Sequence, residues 1–186
     1  MKPLRIVLAD DHTVVLEGLR RILDRPEFEI AGIVGDGRAL IQVVAELKPD
    51  LVVVDVTMPV LNGIDAVLRI RRHDKAVKIV FLTMHPEVPY ATEALAAGGS
   101  AYVLKSSAGE ELVNAIHAAC DGHTFITAAI AEPVRRALAS RSHDRRGELG
   151  GLTARQREVL QLLAEGLRGE GNRRDPSPFP SHGRVS

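Results

Sequence analysis

Four short apolar runs in this chain each end in a polar side chain. Leu4 to Ala9 runs into Asp10 and Asp11, Leu51 to Val54 into Asp55, Ile79 to Leu82 into Thr83, and Tyr102 to Leu104 into Lys105. Between the runs the apolar positions take up helical spacing, as at Val14, Leu16, Leu19, Ile22 and Leu23, and again at Leu40, Val43, Val44 and Leu47. The pattern predicts strands over 4–9, 28–34, 51–54, 78–82 and 101–104. Helices are expected over about 13–23, 36–47, 64–73, 89–97 and 107–119. Ser107-Ala108-Gly109-Glu110 has the spacing of a capping box at the start of the last of these, and Gly98-Gly99 offers a left-handed stop for the fourth.

Strands alternating with helices specify an α/β unit with a parallel sheet. The run at 51–54 is continuous Leu and Val, as a central strand covered on both faces requires. Right-handed crossovers make the unit a five-stranded doubly wound sheet in flavodoxin-like order. In such a sheet all strand C-termini share one edge, where ligands bind. Asp10, Asp11, Asp55, Thr83 and Lys105 should therefore converge on one rim. Three carboxylates, a hydroxyl and an ammonium suit a divalent oxygen-seeking cation together with a phosphoryl group.

Beyond Gly122 the pattern weakens. A further helix is expected over 128–139, interrupted near its start by Pro133, and the polar stretch 140–151 reads as a linker. The chain thus divides into a unit over 1–122, a helical and polar linker over 123–150, and a small incomplete α-helical element over 151–186. In that element Thr153-Ala154-Arg155-Gln156 again has capping-box spacing, and Val159, Leu160, Leu163 and Leu167 form an apolar stripe. From Arg168 onward, Gly169, Gly171, Pro176, Pro178 and Pro180 forbid a stable helix or internal strand.

Composition narrows the field in three ways. At 186 residues and 45% hydrophobic the chain can build a real core, one that aliphatics must fill because aromatics make up only 3%. Lys plus Arg and Asp plus Glu number 24 each, so the zero net charge advertises neither nucleic acid nor membrane as an obligatory partner. Cys120 is the only cysteine, which excludes an intramolecular disulfide and a cysteine-built zinc site. No signal peptide or bilayer-spanning run is present, and the expected location is the cytoplasm.

Asp10-Asp11, Asp55 followed by Met58-Pro59 and Asn62-Gly63, Thr83 and Lys105 together resemble the receiver domain of two-component response regulators. Tyr102, three residues before Lys105, resembles that family's switch aromatic. Leu152-Thr153-Ala154-Arg155-Gln156-Arg157-Glu158-Val159-Leu160 is similar to the opening helix of a NarL/LuxR-type helix-turn-helix. The resemblance implies phosphoryl transfer from a sensor histidine kinase onto Asp55, in a protein that is a regulator rather than an enzyme, with slow autodephosphorylation at most. It assigns Mg²⁺ to Asp10, Asp11, Asp55 and the backbone carbonyl of Thr57. It places Lys105 and Thr83 on the phosphoryl oxygens and has Tyr102 rotate inward as Thr83 is drawn in. It also implies a homodimer on phosphorylation, through the face of the fourth helix, fifth strand and fifth helix.

Each residue also has a bland reading. Asp10 and Asp11 could cap a helix, Thr83 could be an ordinary β-branched strand residue, Lys105 could reach to solvent, and Tyr102 could simply pack. His85 reads as a loop residue rather than a ligand for Mg²⁺, which prefers oxygen. Haloacid-dehalogenase-type phosphatases also use a strand-end Asp, but place a second Asp two residues on, where this chain has Thr57. Their nucleophile typically follows the first strand, where here His12 and Thr13 come after Asp10-Asp11.

DNA binding is implied by the family resemblance, yet the stretch 168–186 cannot supply a recognition helix. With freely chosen synonymous codons, the tail from Arg168 back-translates so that the next reading frame encodes AAKEIAAILHLSPRTVEF. That peptide resembles the missing second helix and the start of the recognition helix, so we read a frameshift just after Leu167. DNA binding is then expected to be lost. The alternative function is a receiver that acts as a phosphate sink or dimerising decoy.

Overall fold

The computed structural model describes residues 2–143. The expected helix from Thr153 and the tail from Arg168 lie outside these residues. Chain order is β1 (Leu4–Ala9), α1 (Thr13–Ile22), β2 (Phe28–Val34), α2 (Gly37–Leu47), β3 (Leu51–Asp55) and α3 (Gly63–Ile70). There follow β4 (Lys78–Thr83), α4 (Val88–Ala96), β5 (Ala101–Leu104), α5 (Ala108–Cys120), β6 (Phe125–Ile126) and α6 (Ala128–His143). The sheet is parallel throughout, in the order β2-β1-β3-β4-β5-β6. This is the flavodoxin-like arrangement with one strand more than the pattern predicts.

Alternate residues of each central strand enter opposite cores, as a period of two dictates. Val52, Val54, Ile79, Phe81 and Tyr102 pack beneath α2, α3, α4 and α6. Leu51, Val53, Val80, Leu82 and Val103 pack against α1 and α5. Burying an aliphatic side chain of this kind stabilises by about 1.5–3 kcal/mol, so a double-sided aliphatic core holds the sheet without needing many aromatics.

The helix starts are set by local side chains. Asp36 accepts from the amides of Arg38 and Ala39 at 2.8 and 2.9 Å and caps α2. Asn62 accepts from the Asp65 amide at 2.8 Å and caps α3. Ser107 makes no such bond, contrary to the capping-box expectation. Lys105–Ser107 is instead a 3-10 turn that carries the chain directly from β5 into α5. Gly98, with φ of 105°, stands in the left-handed region just beyond α4.

Residues 123–143 pack against this sheet. Phe125–Ile126 pairs with Ala101–Tyr102 along the outer edge of β5. α6 runs through Pro133 and lays Ile130, Ala131 and Val134 into the core, beside α4. The chain's own extension therefore occupies part of the face of α4, β5 and α5. Among the described residues no helix is long and apolar enough to cross a membrane.

Candidate functional site

β1, β3, β4 and β5 run parallel, so Asp10, Asp55, Thr83 and Lys105 all leave the sheet at its C-terminal edge. The centre of the arrangement is the Lys105 ammonium, 2.7 Å from Asp10 Oδ2 and 2.7 Å from Asp55 Oδ2. Toward Asp55 it donates a hydrogen bond. Asp10 Oδ2 is its other partner, buried with no donor besides that ammonium. All three side chains are withdrawn from water, at 2% exposure for Asp10, 4% for Asp55 and 7% for Lys105. Lys105 thus does not reach to solvent.

Two buried carboxylates against one cation leave an excess of negative charge. Burial pushes the Asp55 carboxyl above the ordinary carboxylate range. Lys105 and the Thr57 amide, 3.2 Å from Asp55 Oδ1, pull against that rise, and Asp10 adds to it. For Lys105 burial acts to lower the pKa, but Asp10 and Asp55 outweigh it and the ammonium is held above its usual value.

Asp11 and His12 complete the acidic side. His12 Nδ1 lies 3.1 Å from Asp10 Oδ1 and 2.9 Å from Asp11 Oδ1, and the His12 amide donates to Asp10 Oδ1 at 2.9 Å. Neither aspartate side chain caps α1, whose N-cap residue His12 makes no side-chain cap bond either. Asp10, Asp11, His12 and Asp55 each offer a ligand atom, all within 4.8 Å of one another. A donor set dominated by clustered carboxylates fits a hard divalent cation.

Behind the acidic centre Thr83 is fully buried, and its Oγ1 accepts from the His85 amide at 3.1 Å. Tyr102 is fully buried as well, its ring already turned inward and its hydroxyl donating to the His85 carbonyl at 2.8 Å. This is the inward one of the two positions that the switch reading requires. Burial drives the Tyr102 phenol well above its usual value, against a smaller opposing effect of the Thr83 hydroxyl.

His85 is a loop residue, as its sequence context suggests, but a connected one. Its Nε2 is 2.9 Å from Thr57 Oγ1, its Nδ1 is 3.5 Å from Glu87, and its ring lies on Tyr90 with centroids 4.6 Å apart. Hydrophobic patterning carries no signal for such contacts. The β3–α3 loop is tightly drawn: Leu61 N donates to Pro59 O at 2.7 Å across Val60, whose φ is 66°. An i to i+2 bond around a positive-φ residue is a strained turn, and more so for a β-branched side chain. Gly63 lies so close to β3 that an added methyl would run into the Asp55 carbonyl. Only glycine lets α3 start directly behind the carboxylate.

Known proteins converge on the same reading. The profile of the response regulator receiver domain matches residues 6–117. The uncharacterised transcriptional regulatory protein YxjL of Bacillus subtilis is 36% identical over 170 residues, which is 90% of this chain and 78% of that protein. Among solved structures, a LuxR-family two-component response regulator from Aurantimonas sp. SI85-9A1 superposes with a TM-score of 0.70 at 37% identity, covering 74% of this chain and 99% of that one. A structure of two RcsB dimers bound to two parallel DNAs gives a TM-score of 0.66 at 27% identity, over 89% of this chain and 78% of that one.

Proposed function

The chain belongs to the response regulator receiver family and is a phosphorelay response regulator of a DNA-binding family; from that premise we propose that Asp55 is its phosphoacceptor. The observation that carries the assignment is the single buried ammonium shared by Asp10 and Asp55 at 2.7 Å each. Of the two carboxylates, Asp55 stands at the end of the central strand β3, and Oδ1 is oriented by the Thr57 amide.

In the transfer an Asp55 oxygen forms a bond to phosphorus as the donor's bond to phosphorus breaks, and the donor keeps the electron pair. The donor of this chemistry is a phosphohistidine on a sensor kinase. Bringing a phosphoryl group against an anion makes charge neutralisation the main catalytic requirement. Lys105 meets part of it by pairing with a phosphoryl oxygen. Asp10, Asp11, Asp55 and the Thr57 carbonyl would hold Mg²⁺, which when bound neutralises phosphoryl-oxygen charge. Thr83 donates to a further phosphoryl oxygen through the hydroxyl that now accepts from His85. Its departure loosens the His85 loop and with it the hold on Tyr102 and α4. A phosphorylation-dependent homodimer is the readout, with β6 and α6 forming part of the surface next to α4. Glycines and prolines through residues 168–186 are poor material for a recognition helix, so we expect this stretch not to supply specific DNA binding.

Incubation with a small-molecule phosphodonor and Mg²⁺ should add one phosphoryl group, seen as a base-labile mass increment. Asp55→Asn should abolish it, because an amide is a poor nucleophile. Full labelling of that variant would overturn the assignment.

A further inference from the structure

Thr127 lies directly before α6, where a threonine ordinarily turns its hydroxyl onto the first amides of its own helix. Here the hydroxyl points elsewhere. Thr127 Oγ1 accepts from the backbone amide of Leu104 at 2.9 Å, and the Thr127 amide donates to the Tyr102 carbonyl at 2.9 Å. The residue is 1% exposed. β6 stops at Ile126, opposite Tyr102, so at Leu104 the ladder along the outer edge of β5 has no strand residue left to continue it. The threonine side chain supplies that next acceptor in place of a carbonyl. At the start of α6, the Ala128 amide reaches instead to Glu111 Oε1 on α5, at 3.4 Å.

The consequence concerns the residue that follows. Leu104 is the last residue of β5, and Lys105 opens the 3-10 turn immediately after it. On its inner side Leu104 is paired with Thr83. On its outer side the Thr127 hydroxyl holds its amide. The ammonium that bridges Asp10 and Asp55 is thus carried on a backbone pinned from both edges.

We propose that Thr127 is a positioning residue for Lys105, and that through it the β6–α6 arm forms part of the phosphoacceptor site. The proposal rests on the reading of Asp55 and Lys105 given above. Coupling runs in both directions, since any load on α6 from the region that follows it alters the placement of Lys105, and phosphorylation alters the hold on α6.

The test uses the full chain and measures the rate of labelling by acetyl phosphate with Mg²⁺. Thr127→Val keeps the shape but leaves the Leu104 amide without an acceptor. It should slow labelling by roughly fivefold, about the rate equivalent of one net hydrogen bond. Thr127→Ser restores an acceptor and should return the rate to within about twofold of wild type. The decisive arm is Lys105→Ala, in which Thr127→Val should have almost no further effect. Thr127→Ala, put through the same cycle, serves if the valine variant does not fold. An unchanged rate in the single variant, failure of serine to rescue, or an equally large slowing in the Lys105→Ala background would each overturn the proposal. Asp55→Asn is measured alongside: its full labelling would overturn the reading of the site itself, a failure distinct from any of these.

Discussion

Replacing Lys105 by methionine removes the cation from between two buried carboxylates while keeping most of the side-chain volume. Asp10 and Asp55 are 2% and 4% exposed, and each loses a contact of 2.7 Å. Taking one partner from a buried ion pair costs about 3–5 kcal/mol, and we expect the lower end because Asp11 and His12 leave one side of the pocket open to water. At about 2–4 °C per kcal/mol for a domain of this size, the midpoint of thermal unfolding should fall by roughly 6–12 °C. The deficit should depend on pH. Burial holds Asp55 above its reference value of 3.8 in the folded protein. A carboxyl with a raised folded pKa binds its proton more tightly folded than unfolded, so it costs stability at neutral pH and returns it as pH falls through the folded pKa toward the unfolded one. Without Lys105 the rise is larger, so the relief begins at a higher pH and the gap between variant and wild type narrows between neutrality and about pH 4. Urea unfolding of both proteins over that range, in chelator to exclude divalent ions, measures it. A variant as stable as wild type at pH 7, or a deficit that does not shrink on acidification, would refute the reasoning.

Three further outcomes follow from the loops and the acidic cluster. Val60→Gly should stabilise by about 0.5–1 kcal/mol, because relief of left-handed strain exceeds the entropy that glycine adds to the unfolded chain; a lower urea midpoint would contradict this. Gly63→Ala should destabilise by about 2–3 kcal/mol and slow labelling of Asp55, because the methyl would run into the Asp55 carbonyl and the Val54 side chain. Unchanged stability and labelling there would show that α3 can move back freely. Asp10→Asn combined with Asp11→Asn should lower Mg²⁺ affinity by at least about tenfold in calorimetric titration, since a hard cation depends on carboxylate charge; unchanged affinity would leave the pair without a role in metal binding.

Much of this architecture is legible in the sequence because the signals are strong and local. The aliphatic strands β1, β3, β4 and β5 announce themselves, and parallel pairing then fixes where their last residues meet. That is why strand order alone brings Asp10, Asp55 and Lys105 together. β6 escaped because two residues, Phe125 and Ile126, carry no periodicity. Pro133 suggested an interruption, yet α6 continues through it to His143. At Ser107 the capping pattern was present in the sequence, but the chain's short passage from β5 to α5 took a 3-10 turn instead. The contacts of His85 with Thr57 and Tyr90, of His12 with Asp10 and Asp11, and of Thr127 with Leu104 depend on loop paths that residue spacing does not encode. The inward position of Tyr102, bonded to the His85 carbonyl, is likewise set by the path of that loop.

The central claim is that the phosphoryl group resides on one carboxylate among three. Borohydride reduces an acyl phosphate to the alcohol, so an aspartyl phosphate becomes homoserine and is fixed in the sequence. After labelling with phosphodonor and Mg²⁺, reduction and peptide mass spectrometry should find homoserine at position 55 and nowhere else. Homoserine at position 10 or 11, or a phosphoryl group that resists reduction on another side chain, would contradict the account.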